Sequence, residues 1–133
     1  MEQTVVQTGK VFKVFPDGPP GHGLKPISVM DQSNIISGVG TEIGTFDYVD
    51  PTRQFMVGIW ESTPCVEYIP FYPCDEFCLI LKGGIRITQK DGTENYFGEG
   101  EGFMVLRGTE CHYAMTETTK KYSIMFENKL LAK

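Results

Sequence analysis

The chain has 133 residues, of which 41% are hydrophobic and 12% aromatic, and that length and composition predict one globular domain. Twelve Lys and Arg against 17 Asp and Glu give a net charge of −5, which argues against binding a nucleic-acid backbone. No stretch approaches the roughly 20 apolar residues of a membrane span, and the first residues lack the apolar block of a secretion signal. We therefore predict no membrane association and a cytoplasmic location.

The N-terminal region, residues 1–50, is the less regular part of the predicted fold. Its Gly- and Pro-rich run at 16–23 is typical of a loop, which we expect to join an N-terminal strand to the body of the protein. At the other end of the chain, residues 128–133 fit either a short helical turn or a trailing tail.

From residue 54 onward, short segments rich in Val, Ile, Phe, Tyr and Thr are separated by turn residues, which is the pattern of β-strands. Between the fourth and fifth segments, Asp91 and Gly92 predict a tight hairpin turn with positive φ angles. Many short strands at this spacing predict an all-β sandwich or barrel. The predicted strands are 55–62, 66–71, 76–81, 85–90, 94–97, 103–106, 111–116 and 121–127.

Two segments of this region resemble the paired motifs of the cupin superfamily. In the first motif a glutamate is followed seven positions later by a glycine, and Glu76 and Gly83 keep that spacing. The second motif combines a Gly-acidic pair, an apolar strand and a turn, as residues 100–108 do. Three further runs are most similar to small single-domain cupins, such as the barrel domains of ureidoglycine aminohydrolases and the ethanolamine-utilisation cupins: residues 58–64, 75–78 and 97–103.

The resemblance implies a single-domain cupin, that is, a double-stranded β-helix or jelly-roll barrel. It implies a barrel with both motifs at 54–127, preceded by the N-terminal strand and loop region at 1–50. It also implies a homodimer, because the N-terminal strand and loop commonly pack against a partner barrel in this superfamily. The expected partner is a small molecule bound inside the barrel.

The metal-binding histidines of the cupin motifs are replaced in this chain. Pro70 and Tyr72 occupy the positions of the paired histidines, and Cys111 occupies the position of the third. Only the carboxylate of Glu76 remains, so the usual metal site is missing.

A substitute metal site remains open as an alternative. Glu76, Cys111 and His112, with Cys74 and Cys78 nearby, are ligand types that hold a divalent ion such as Zn, Mn, Fe or Ni. Cysteine is equally common in protein cores, and without a secretion signal we expect the four cysteines to be free thiols. The cofactor is therefore either absent or a divalent metal ion.

Glu76 is the strongest candidate for acid or base chemistry. Strand alternation puts Glu76 and Cys78 on one face, and the resemblance implies that this face points inward. A carboxylate inside an apolar barrel either has a raised pKa or has a partner. The alternative role is a structural carboxylate that bonds Tyr72 or Tyr113.

Other residues complete the predicted site. We predict two further catalytic residues, Tyr72 and Cys111, which with Glu76 form the catalytic set. His112 follows Cys111 directly, so it enters the pocket only if the strand carries a bulge. The predicted substrate-binding residues are Tyr113, Cys78, Trp60, Tyr68, His112 and Met115.

Two classes of function fit these residues. The first is an enzyme, a hydrolase, lyase or isomerase acting on a small polar metabolite, with Glu76 as acid or base. Similarity to aminohydrolases extends that substrate class to nitrogen-containing metabolites. The second is a non-catalytic cupin that binds or senses a small molecule after losing its metal site.

Overall fold

The computed structural model describes residues 9–128 and shows eleven β-strands and one turn of 3-10 helix, Gln32–Asn34, within them. The sequence predicts an N-terminal strand before the loop at 16–23, but residues 9–15 contain no strand, and residues 1–8 lie outside the described residues. Most of the predicted C-terminal turn or tail, residues 129–133, also lies outside them. No helix among the described residues is long and apolar enough to cross a membrane. The strands are β1 (Lys25–Pro26), β2 (Ile35–Gly38), β3 (Glu42–Val49), β4 (Phe55–Ser62), β5 (Cys65–Ile69), β6 (Asp75–Lys82), β7 (Gly84–Gln89), β8 (Glu94–Gly98), β9 (Gly102–Val105), β10 (Cys111–Met115) and β11 (Thr119–Phe126).

The eight strands predicted after residue 54 are all present, with ends that differ by no more than two residues. The hairpin between β7 and β8 differs in detail. Only Gly92 of the Asp-Gly pair has a positive φ, 92°. The backbone N–H of Gln89 donates to the carbonyl of Thr93 at 2.8 Å, which closes a three-residue loop.

Residues 9–50, the described part of the N-terminal region, are more regular than the sequence predicts. β3 is eight residues long and pairs with β4 from Glu42 opposite Ser62 to Val49 opposite Met56. Its Glu, Gly and Asp residues are poor strand formers in isolation, and pairing with β4 overrides that weak local preference.

The strands form two antiparallel sheets that face each other. One sheet has the order β1-β3-β4-β11-β6-β9 and the other β2-β5-β10-β7-β8. Their inner faces enclose one buried core, which includes Ile80, Ile85 and Phe103. This arrangement is the jelly-roll architecture that the resemblance implies.

The segment before β1 covers part of the outer face of the six-stranded sheet. The Tyr122 hydroxyl donates to the carbonyl of Val14 at 3.3 Å, and the Lys120 ammonium pairs with Asp17 at 2.5 Å. Since Lys120 and Tyr122 point outward, their neighbour Lys121 points into the barrel, where only 4% of its surface is exposed.

Candidate functional site

A cavity of about 300 Å³ lies between the two sheets at one end of the barrel. Val29 and Phe71 belong to its wall and are half-exposed, so the mouth lies between the segment 27–34 and the loop 70–74. Much of the wall is aromatic, as is usual for small-molecule pockets. The aromatic lining residues are Phe46, Trp60, Tyr68, Phe71, Tyr72 and Tyr113.

A buried ion pair forms part of this wall. The ammonium Nζ of Lys121 lies 2.7 Å from Oε2 of Glu76, and both side chains are about 95% buried. The Tyr72 hydroxyl donates to the other oxygen, Oε1 of Glu76. The register shift between β6 and β11 at this point leaves Leu81 of β6 without a partner, while the regular alternation of β11 directs Lys121 inward beside Glu76.

The remaining contacts of Lys121 fix its ammonium group. Nζ lies 3.3 Å from the sulfur of Cys78, and it faces the rings of Trp60 and Tyr113 at 5.1 and 5.7 Å from their centroids. Aromatic faces attract a cation, the more so when water is excluded. The pocket therefore contains a fixed positive charge beside an acceptor carboxylate.

Burial alone raises the pKa of Glu76, but the ammonium of Lys121 and the hydrogen bond from Tyr72 outweigh it and lower the pKa. Burial likewise lowers the pKa of Lys121, but the neighbouring Cys78 and Glu76 raise it well above its ordinary value. Both members of the pair are therefore charged at neutral pH. Burial and the nearby Glu76 carboxylate raise the pKa of Tyr72, so its hydroxyl keeps its proton.

Two further acidic groups, Glu42 and Glu67, lie in the same part of the barrel. Glu42 accepts hydrogen bonds from the backbone N–H groups of Val29 and Met30, at 3.0 and 3.2 Å, and from Nε1 of Trp60 at 2.8 Å. Glu67, in the cavity wall, accepts one from the backbone N–H of Asp31 at 3.1 Å. Burial raises the pKa of Glu67 to about 7.

Tyr113 is the cross-strand partner of Glu67 and also lines the cavity. Its ring stacks on that of Tyr72, with centroids 6.4 Å apart. Its buried hydroxyl has no hydrogen-bond partner among the described residues. A buried hydroxyl without a partner is costly, which is a reason to expect a ligand atom near it.

The structure brings four of the predicted site residues together in the cavity wall, Glu76, Tyr72, Tyr113 and Trp60. Tyr68 borders the cavity, but its ring lies on the outer face of β5 beside His112. The inward orientation expected for Glu76 and Cys78 is confirmed, since both are buried on the same face of β6. Cys78 lies behind the wall, where it contacts Lys121.

Three other predicted residues lie outside the cavity wall. Cys111 and Met115 are buried in the core, and burial raises the pKa of the Cys111 thiol to about 11. A neutral thiol is a weak nucleophile, so we give Cys111 no part in the chemistry below. His112 is exposed on the outer face of β10, which has no bulge, and its ring lies against that of Tyr68 at a tilt of 42°, with centroids 5.2 Å apart.

The residues present do not fit a metal ion. Among residues 9–128, no three His, Cys, Asp or Glu side chains are placed to hold one. Glu76 is paired with an ammonium group, while Cys111 and His112 point to opposite faces of β10. All four cysteines are free and buried, as expected of core thiols.

Two functional candidates, Lys121 and Glu67, do not emerge from the sequence reasoning. Strand alternation places Lys121 and Ser123 on the same face of β11, which is the one sequence feature that could have indicated an inward Lys121. In β11, however, the alternate residues Tyr122, Ile124 and Phe126 are more apolar and resemble a core face. Glu67 similarly stands between the apolar Val66 and Tyr68.

Two facing antiparallel sheets around a cavity with a motif glutamate in its wall define a cupin. Solved structures with this fold include a protein of unknown function of the DUF861 family from Pseudomonas syringae pv. tomato, with 22% identity and a TM-score of 0.71 over 77% of this chain. The chain spans 43% of the length of that protein. The putative ethanolamine utilisation protein Q of Salmonella typhimurium has 11% identity and a TM-score of 0.59 over 78% of this chain and 95% of its own.

An enzyme also shares the fold. The polyketide cyclase RemF of Streptomyces resistomycificus has 13% identity and a TM-score of 0.52, over 75% of this chain and 79% of its own. No curated protein matches the sequence. Residues 49–122, more than half of the chain, match the EutQ-like cupin domain, and the protein belongs to that cupin family.

Proposed function

We propose that this cupin binds a small polar metabolite in its cavity and transfers a proton to or from it without a metal ion. The observation that carries the proposal is the buried cluster of Glu76, Lys121 and Tyr72 in the cavity wall. Nitrogen-containing metabolites belong to the proposed substrate class. A homodimer and a cytoplasmic location remain predictions.

In this proposal the charged Glu76 is the base and Lys121 supplies positive charge. A substrate proton moves to Glu76, and the negative charge left on a substrate oxygen is stabilised by the ammonium of Lys121. As the ammonium shares its positive charge with that oxygen, the carboxylate loses part of the interaction that lowers its pKa, so it becomes a stronger base. Glu76 then returns the proton to the substrate or to its leaving group, and Tyr72 holds the carboxylate in place throughout.

A non-catalytic binding or sensing role is the second candidate. Glu76 and Lys121 already satisfy each other, and an ion pair that needs no ligand suits a preformed binding pocket. In that case the cavity holds its ligand by shape and by the aromatic wall, and no bond to hydrogen breaks.

Proton NMR of a mixture of small polar metabolites in D₂O distinguishes the catalytic role from the non-catalytic binding role. With the wild-type protein, catalysis makes one component lose a C–H signal or disappear, whereas pure binding only broadens its lines. We expect Glu76→Gln to slow the exchange or turnover at least about 100-fold, the usual contribution of a general base. Glu99→Gln is the matched control, because it is the same substitution at an exposed position outside the cavity wall.

Full activity in Glu76→Gln would remove Glu76 from the proposed function. The fold of each variant is checked by circular dichroism, since both partners of a buried pair also affect stability. Metal analysis of protein purified without added metal tests the proposal that no metal ion takes part. A transition metal near one equivalent would contradict the metal-free arrangement.

A further inference from the structure

We infer that the cavity selects a ligand with a positively charged group and that Glu67 binds this group. The inference rests on the proposed function in using the same cavity, but it concerns recognition and not proton transfer. Binding measurements alone therefore test it.

The charges in the cavity wall favour a cation. Among the described residues, the wall contains three acidic side chains, Asp31, Glu67 and Glu76, and one basic side chain, Lys121. Lys121 and Glu76 neutralise each other at 2.7 Å. The net charge that remains for a ligand is therefore negative, and it is located on the side of Glu67.

Glu67 has an acceptor atom free for a ligand. Its Oε2 accepts a hydrogen bond from the backbone N–H of Asp31, whereas its Oε1 has no hydrogen-bond partner among the described residues. Only 7% of Glu67 is exposed, so a cation beside Oε1 would interact with it away from most bulk water.

The neighbouring aromatic residues suit the same ligand. Tyr113 stands opposite Glu67 in the sheet and offers a hydroxyl that lacks a partner. The Trp60 indole is held in place by its hydrogen bond to Glu42. Because Lys121 already faces the rings of Trp60 and Tyr113, the aromatic wall packs against the apolar part of the ligand, and Glu67 binds its positively charged group.

Recognition by Glu67 carries a pH dependence. The titratable groups around this carboxyl are Asp31 before the 3-10 turn, Glu42 on β3, Cys65 on its own strand, and Cys111 and Tyr113 on β10. Burial above all, and then the two carboxylates, raise the pKa of Glu67 to about 7 against the opposing hydrogen bond from the Asp31 N–H, and no cationic side chain of residues 9–128 offsets them. A cation therefore binds to the ionised form, which predominates above neutral pH.

Three probes of similar size, the cation n-butylammonium, the neutral n-butanol and the anion butyrate, test the inference by titration. Trp60 is the only tryptophan in the chain and lies in the cavity wall, so its fluorescence reports binding. We expect n-butylammonium to bind more tightly than the neutral and anionic probes at pH 8. Its affinity should fall about tenfold at pH 6, because the ionised fraction of a group with a pKa near 7 falls by that factor.

Glu67→Gln keeps an oxygen for the Asp31 N–H, and it should remove both the preference for the cation and the pH dependence. Glu99→Gln, the same change at an exposed position, should retain both. Butyrate binding as tightly as n-butylammonium, or cation binding that survives Glu67→Gln, would overturn the inference and leave the role of Glu76 untouched. The pH titration of the wild type decides the question even if Glu67→Gln fails to fold.

Discussion

Two buried charges, on Glu76 and Lys121, determine both the chemistry and the stability of the site. Moving each charge out of water costs several kcal/mol, and their attraction at 2.7 Å offsets that cost only while both are present. Removing one partner leaves the other buried without compensation. The intact pair therefore has little effect on the free energy of unfolding, whereas removing one partner lowers that free energy strongly.

A double-mutant cycle measures this coupling. We expect Lys121→Met and Glu76→Gln each to lower the free energy of unfolding by about 3–5 kcal/mol, with Glu76→Gln at the lower end because Gln still accepts from Tyr72. The double variant should lose much less than the sum, because no unpaired charge remains. Urea unfolding at pH 7 supplies the values, and additive losses would show that the two side chains are not coupled.

The sequence predicts one member of this pair and misses the other for a physical reason. Glu76 is identified by its motif spacing to Gly83, and the cupin resemblance then implies that its face of the strand points inward. Lys121 is missed because alternation alone does not say which face of β11 is inside. The more apolar face of that strand is outside, and the segment before β1 covers part of it through contacts such as that of Tyr122 with Val14. A contact between residues so far apart in the chain leaves no pattern in the local sequence of β11.

At the scale of the elements, Gly83 controls the passage of the chain from one sheet to the other. It lies between β6 and β7, has a φ of 78°, and a Cβ there would be 2.5 Å from the carbonyl oxygen of Thr118. Only glycine satisfies both constraints without strain. This explains physically why the motif has a glycine at that position.

Gly83→Ala and Gly92→Ala separate the two constraints. Gly92 also has a positive φ, but no atom lies within 4 Å of the added Cβ. We expect Gly92→Ala to lower the free energy of unfolding by about 1–2 kcal/mol, the cost of the backbone conformation. Gly83→Ala should cost about 1–3 kcal/mol more, because Thr118 must shift. Equal losses in urea unfolding would mean that the contact with Thr118 relaxes freely.

The strands after residue 54 are predictable because each combines β-branched and aromatic residues with turn residues at its ends. β3 lacks this consistency, since Gly44 and Asp47 interrupt its apolar residues. It becomes a strand because β4 offers a complete hydrogen-bonding edge beside it. Strand pairing of this kind depends on the whole sheet, so it is not visible in an eight-residue window.

At the scale of the whole molecule, the two ionisable parts of the cavity have opposite effects on stability. The pKa of Glu76 is lowered in the folded state, so its contribution is present above the ordinary carboxyl pKa and is lost as the pH falls below it. The pKa of Glu67 is raised from its ordinary 4.5 to about 7, so the folded state holds this proton more tightly than the unfolded state does. Stability is therefore lost as the pH rises through this interval.

Glu67→Gln isolates the second effect, because glutamine resembles the protonated side chain at every pH. We expect the variant and the wild type to have similar free energies of unfolding at pH 4.5. At pH 8 the variant should be more stable by about 3 kcal/mol, the value of a shift of this size. Urea unfolding across this pH range measures the difference, with Glu99→Gln as the control. A difference that stays constant with pH would show that Glu67 titrates as an ordinary surface carboxylate, and the cavity would then lack the buried acidic group on which its preference for cations depends.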